Sequence, residues 1–208
     1  MKAYVIKGDT GIGKTDFAVN LSEYLQKNGK VLLLQAKRNA NSNIEDFFQK
    51  DGMITYDLAD YFSSLASLDK VIVHETDKLD FIISPLLEDK YEITGKDLNK
   101  ILSNVNYDYL ILDEVNPSFI KDKTTVEIIS QNQVNKTIDA DAFFINKVDE
   151  DYDIRSDKAT VESKAAKFLG TVKNGQYFKN VIENLVNGNV VAIPKLGFFE
   201  KLKMSFKK

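Results

Sequence analysis

The chain reads as an α/β protein, a mostly parallel β-sheet with helices on both faces. Three observations predict this. A short apolar strand pattern, AYVIK (3–7), passes through a glycine-rich turn into a stretch of helical spacing. Two later runs, VLLLQ (31–35) and YLILD (109–113), are too apolar to be anything but strands buried on both faces. Apolar runs alternate with helical-period segments along most of the chain, the βαβ order that builds a parallel sheet.

The elements follow in order. The glycine-rich turn leads into a helix from Lys14 to about Lys27, which Asn28-Gly29 stops, with glycine supplying the left-handed residue of a helix end. VLLLQ is the second strand. Helical stretches follow around NIEDFF (43–48) and from Tyr56 to Leu65, then a strand at VIVHE (71–75) and another at DFIISP (80–85). TGKDLNKILSN (94–104) has helical spacing at Leu98, Ile101 and Leu102, and YDYLILDE (107–114) is the clearest central strand, ending in two acids. TVEIIS and DAFFINK supply two more strands, and helices at about 157–168 and 176–187 close the domain. No repeat, low-complexity segment or linker interrupts this order. Residues 1–194 therefore read as one domain, followed by a distinct segment, 195–208.

Composition narrows the function. With 208 residues, 43% apolar, the chain has material for one packed domain. It has no cysteine, which removes disulfides, thiolate metal sites and thiol catalysis and fits a reducing cytoplasm. The single histidine, His74, reads as a strand-end surface residue. A strand pattern that begins at Lys2 leaves no room for a signal peptide, and no apolar run approaches a membrane span. The net charge of -3 argues against a general nucleic-acid binder. That charge is uneven: from Lys195 onward five lysines face one glutamate, a net of +4 on an otherwise acidic body.

Gly8-Asp9-Thr10-Gly11-Ile12-Gly13-Lys14-Thr15 fits the phosphate-loop pattern G-x-x-x-x-G-K-[ST], and strand, turn and helix lie around it in the required order. The glycines let backbone N–H groups turn toward a phosphate, and the helix from Lys14 adds its positive end. Gly8 through Thr15, with Asp16, form the candidate nucleotide-binding stretch. Lys14, the candidate catalytic residue, would reach the β- and γ-phosphates. Thr15 and Asp113, the acid that closes YLILD, are the candidate Mg²⁺ ligands. Glu114 is a spare acid beside them. Downstream, Asn146-Lys147-Val148-Asp149 matches the N-K-x-D guanine-reading pattern, with Asn146, Lys147 and Asp149 as base-contacting candidates. This leaves a GTPase as an alternative, although Asp113 is followed by EVN rather than by the D-x-x-G of small GTPases.

Beyond the loop, the chain resembles the MinD/ParA family of P-loop ATPases, its MinD branch most. The resemblance rests on GDTGIGKT, KNGKV, NSNIED, TYDLADYF, FIISP and DEVNP, and it covers nearly the whole chain. It implies ATP and Mg²⁺ as ligands, an adenine contact for Asn146, a homodimer when nucleotide is bound, and a role in positioning other proteins through an unidentified protein partner. Division-site placement and plasmid or cargo partition are the roles it suggests. Two positions depart from the family. Its signature lysine falls on Asp9, and its D-x-D acids fall on Gln35 and Lys37. Asp9 is expected to pair with Lys37 or Lys7, giving slow or altered hydrolysis, or a scaffold that binds nucleotide without hydrolysing it.

In PKLGFFEKLKMSFKK, helical spacing sets Phe198, Leu202 and Phe206 on one stripe with Phe199 beside it, while Lys201, Lys203 and Lys207 flank it. Such a helix suits an anionic membrane surface, each lysine contributing about 1 kcal/mol. The alternative is a helix docked on the domain. The family resemblance favours the membrane, which places the protein in the cytoplasm and on the inner face of the cell membrane.

Overall fold

A computed structural model describes residues 1–87 and 91–197. The chain folds as two compact units, Met1–Ile128 and a second that begins at Ile129.

In the first unit, β1 (Lys2–Gly8) leads to α1 (Lys14–Leu25) and β2 (Val31–Gln35). Three short helices follow, α2 (Ile44–Phe47), α3 (Leu58–Phe62) and α4 (Leu68–Val71). The unit continues with β3 (Val73–His74), β4 (Leu79–Ile82), α5 (Gly95–Leu102), β5 (Tyr109–Asp113) and β6, which begins at Thr124. The strands lie in the order β3-β4-β2-β5-β1-β6. All neighbours are parallel except β3, which runs antiparallel to β4. All five residues of β2 are buried, the four apolar ones as a run in the middle of a parallel sheet requires and Gln35 at its carboxyl end. Alternate residues sort to the two faces. Val5, Leu32, Leu34, Leu110 and Leu112 pack with Leu58 of α3 and with Leu98 and Ile101 of α5. On the other face α1 meets β1, β2 and β5 and buries Phe17, Leu21 and Leu25.

The short helices rely on their N-termini. Asp57 is buried, accepts from the N–H groups of Ala59 and Asp60, and also takes the N–H of Leu86 at 2.9 Å, tying the chain after β4 to the start of α3. Thr94 and Asp97 form the same reciprocal box at the start of α5.

The second unit contains β7 (Ala142–Val148), α6 (Lys158–Glu162), β8 (Lys167–Lys173) and α7 (Lys179–Asn187). β7 and β8 pair in parallel, and Phe143 and Phe168 bring their ring centres to 5.3 Å in a core that includes Ile129, Val134, Ile145 and Val161. α7 ends at Gly188 with φ +72.

Three expectations change. The helix expected over 157–168 stops at Glu162, and Lys167–Lys173 is a strand. The helix-favouring SKAAK sequence gives way to ladder bonds with β7 and to burial of Phe168, Leu169 and Val172. VIVHE is a strand only at Val73–His74, because Val71 closes α4. Gly29 is not left-handed, since the first helix ends at Leu25 with an ordinary right-handed Gln26. What glycine supplies there is room. A Cβ on Gly29 would lie 2.5 Å from Oδ2 of Asp108, the carboxylate that accepts the Lys30 N–H at 2.8 Å.

Gly29→Ala should therefore lower stability by about 1–3 kcal/mol, the usual size of an overpacking defect. Urea unfolding reads the change as a lower midpoint.

Candidate functional site

The turn after β1 depends on glycine. At Gly8, φ is +148, and a Cβ would stand 2.7 Å from the Ile128 carbonyl oxygen and 2.9 Å from Ile12 Cγ2. Gly13, at φ +97, is the N-cap of α1 and offers no side-chain cap to the first turn. A helix start of this kind presents backbone donors and a positive dipole end to an anion.

The Lys14 side chain is buried and curls back over the turn. Its ammonium donates to the carbonyls of Gly8 at 2.9 Å and Asp9 at 3.1 Å, and it pairs with Glu114 Oε1 at 3.0 Å. The Thr15 hydroxyl donates to Asp113 Oδ2 at 2.7 Å, and Gln35 Nε2 donates to the same oxygen at 3.0 Å. Asn39 Nδ2 in turn donates to Thr15 Oγ1 at 2.8 Å. Parallel pairing fixes this meeting, because Gln35 and Asp113 are register partners at the carboxyl ends of β2 and β5.

Asp113 is fully buried, and its Oδ1 has no hydrogen-bond partner among the described residues. Burial pushes its carboxyl up to about 6, and Glu114 pushes in the same direction. The bonds from Thr15 and Gln35 and the charge of Lys14 oppose this. An orphaned carboxylate oxygen beside a threonine hydroxyl is a hard oxygen donor set, and it fits Mg²⁺. Thr15 and Asp113 would hold the ion, which supplies positive charge to neighbouring phosphate oxygens.

The remaining candidates are placed as follows. Asp9, Thr10 and Gly11 are exposed, and Ile12 is buried beneath the turn. Asp16 accepts from Asn20 along the helix at 3.0 Å. Of the two cations expected to serve Asp9, Lys7 stands 3.8 Å from Glu127, and Lys37 is exposed. Lys37 lines a groove of about 730 Å³ together with Arg38, Tyr91, Glu114 and Asn116. In the second unit, Asn146 is buried on β7 while Lys147 is exposed at φ +55. Gln131 clamps Asp149 from both sides. Its amide donates to Asp149 Oδ2, and its Oε1 accepts the Asp149 N–H at 3.0 Å. Phe198, Phe199, Lys201, Leu202, Lys203, Phe206 and Lys207 lie outside the described residues. No helix among the described residues is long and apolar enough to cross a membrane.

Two participants carry no signature in the sequence. Gln35 reads there only as a missing acid, and Asn39 sits in an asparagine-rich loop where nothing sets it apart. The pairing of Glu114 with Lys14 is legible only as proximity.

A strand, a glycine turn wrapped by its own lysine, and a Thr–Asp pair at the carboxyl end of the adjacent strand define a P-loop nucleotide-hydrolase fold. No known protein-family pattern matches the chain, and no curated protein matches it in sequence. Solved structures do match. A plasmid partition protein from Borrelia burgdorferi is similar at TM-score 0.67 and 21% identity, over 90% of this chain and 98% of that one. MinD in a MinC:MinD cell division complex from Aquifex aeolicus is similar at TM-score 0.68 and 17% identity, over 95% and 100%. The septum site-determining protein MinD with Mg-ADP from Pyrococcus horikoshii gives 0.62 and 14%, over 88% and 85%. The fold is thus that of the MinD/ParA-like P-loop ATPases, as the sequence motifs led us to expect.

The buried Asp113 charge has a measurable cost. The native carboxyl keeps its proton to about pH 6, whereas the unfolded chain loses it near its ordinary value of 3.8. Between those values the native state holds the extra proton, so this group's contribution to stability falls as pH rises. Asp113→Asn keeps an acceptor for Thr15 and Gln35 without the charge. In Mg²⁺-free buffer at pH 7.5 the variant should be more stable than the wild type, by up to roughly 3 kcal/mol. Urea titrations of both proteins across pH 4 to 7.5, converging at the acid end, measure it.

Proposed function

We propose that the protein is a MinD-like, ATP-binding switch that dimerises with nucleotide, associates with membrane through residues 195–208, and positions other proteins. Division-site placement and plasmid or cargo partition are the roles in view. The observation that carries this reading is the set of Lys14, Thr15 and Asp113 around the Gly8–Thr15 turn, with one carboxylate oxygen of Asp113 left for a cation. The backbone from Gly8 to Thr15, with Asp16, cradles the phosphates. Lys14 supplies the cation that meets their charge, and Thr15 and Asp113 hold Mg²⁺. For the base, the sequence motif offers Asn146, with Lys147 and Asp149 beside it.

Adenine is favoured over guanine by the resemblance to the MinD/ParA family. A guanine reader would need the Asp149 carboxylate to accept from the ring, and Gln131 already donates to one of its two oxygens. Hydrolysis is expected to be slow, because Gln35 and Lys37 stand where the resembled family has the acids that position water and metal. Gln35 is instead engaged with Asp113. The same substitutions support a second reading, a scaffold that binds nucleotide without hydrolysing it. Phosphate release over hours separates the two.

Calorimetry with a non-hydrolysable ATP analogue and Mg²⁺ should give saturable heat that GTP analogues do not match. Lys14→Ala should weaken binding at least about 100-fold, since it removes a charge-assisted contact and the centre of the turn's own packing. Heat no greater than dilution with either purine would overturn the nucleotide reading.

Liposome sedimentation tests the anchor. The chain with nucleotide should pellet with anionic vesicles more than without it, because dimerisation doubles a weak anchor. A form lacking residues 195–208 should stay in the supernatant. Equal pelleting of both forms would remove the membrane role.

A further inference from the structure

Lys14 has three ammonium protons and three acceptors, the carbonyls of Gly8 and Asp9 and the carboxylate of Glu114. Its donor capacity is filled by the protein itself. A phosphate that is to meet this cation must displace one of the three. The two carbonyls are main chain of the turn that would hold the phosphate, so the partner able to leave by rotating a side chain is Glu114. It is also the partner that must leave, because a carboxylate 3.0 Å from the lysine would face the incoming phosphate with like charge.

The backbone at Glu114 points the same way. Its φ is +55, a left-handed conformation that a non-glycine residue adopts at a cost of roughly 1 kcal/mol. Its neighbours Asp113 and Val115 are both buried, so the outlier is held in place from either side. Glu114 also lines the groove that Lys37, Arg38 and Asn116 share. That groove gives a displaced carboxylate somewhere to go, beside cations and in contact with water.

We propose, resting on the nucleotide reading above, that Glu114 is a latch on Lys14. In the nucleotide-free protein its carboxylate neutralises the lysine, and binding exchanges that carboxylate for phosphate, so Glu114 sets the affinity for nucleotide. The latch lowers apparent affinity by the fraction of molecules in which Lys14 is open. It also keeps a buried cation paired when the site is empty.

Two variants test it in the full-length chain. Glu114→Gln removes the charge and keeps the shape. Glu114→Gly removes the side chain and adopts φ +55 without strain, so its effect reports the lost carboxylate and not a backbone clash. Calorimetry with Mg²⁺-ADP and with a non-hydrolysable ATP analogue should show both variants binding about tenfold tighter than wild type, the usual scale for a partly buried charge-assisted bond. A second measurement needs no nucleotide. Brief acylation with an amine-selective reagent, followed by peptide mass spectrometry, should label Lys14 several-fold more in both variants, with other lysines unchanged. Wild type and variants that bind nucleotide equally, or that label equally at Lys14, would overturn the latch alone. A loss of turnover at unchanged affinity would overturn it too, and would make Glu114 a proton acceptor for the attacking water. No heat from any of the three proteins would remove the nucleotide reading and the latch together.

Discussion

A carboxylate carried out of water at the end of a central strand organises the first unit of this protein. Asp113 can be buried only because the parallel register of β2 and β5 places Gln35 beside it and because the first turn of α1 carries Thr15. Two neutral donors and a nearby lysine do not cancel the cost of desolvation, as its raised protonation range records. The site is thus built around a charge that the fold alone does not satisfy. A divalent ion is the kind of partner that would complete it.

That uncompensated charge explains the pattern of side chains around it. Had residue 35 been an acid, a second carboxylate would lie in register with Asp113 and raise the penalty further in the empty site. Gln35 exchanges repulsion for a hydrogen bond, and Ser84 in turn donates to Gln35 at 3.4 Å. The acid that remains, Glu114, turns away from Asp113 toward the lysine. The departures at Gln35 and Lys37 therefore act together: they quiet the empty site electrostatically and leave those two positions without carboxylates that could arrange metal and water.

Much of this was legible in the sequence because the strongest signals are local. The apolar cores of the VLLLQ and YLILD runs could be little else than central strands, and the glycine spacing at residues 8, 11 and 13 states its own backbone demand. What the sequence hid is long-range or relational. Lys167–Lys173 is a strand because β7 offers it a partner, which no window of residues displays. Gly29 looked like a helix stop, yet its role is to let Asp108 approach from a segment far along the chain. Asn39 and Gln35 enter the site through register and loop closure, and neither carries a motif. The Gln131–Asp149 clamp was equally invisible, although it bears directly on how N-K-x-D should be read.

The two acids at the end of YDYLILDE show why identity and role separate. The strand ends between them, so a single D-E pair can serve two different neighbours. Asp113 continues the strand and meets the threonine of α1. Glu114 leaves it in a left-handed turn and meets the lysine of the same helix. One step of backbone geometry thus delivers one carboxylate to the place where a cation is wanted and the other to the place where an anion is wanted. Occupancy by ligand would recruit the first and expel the second. A site wired in this way would couple nucleotide and metal through two consecutive residues, with no rearrangement of the sheet needed to tell empty from full.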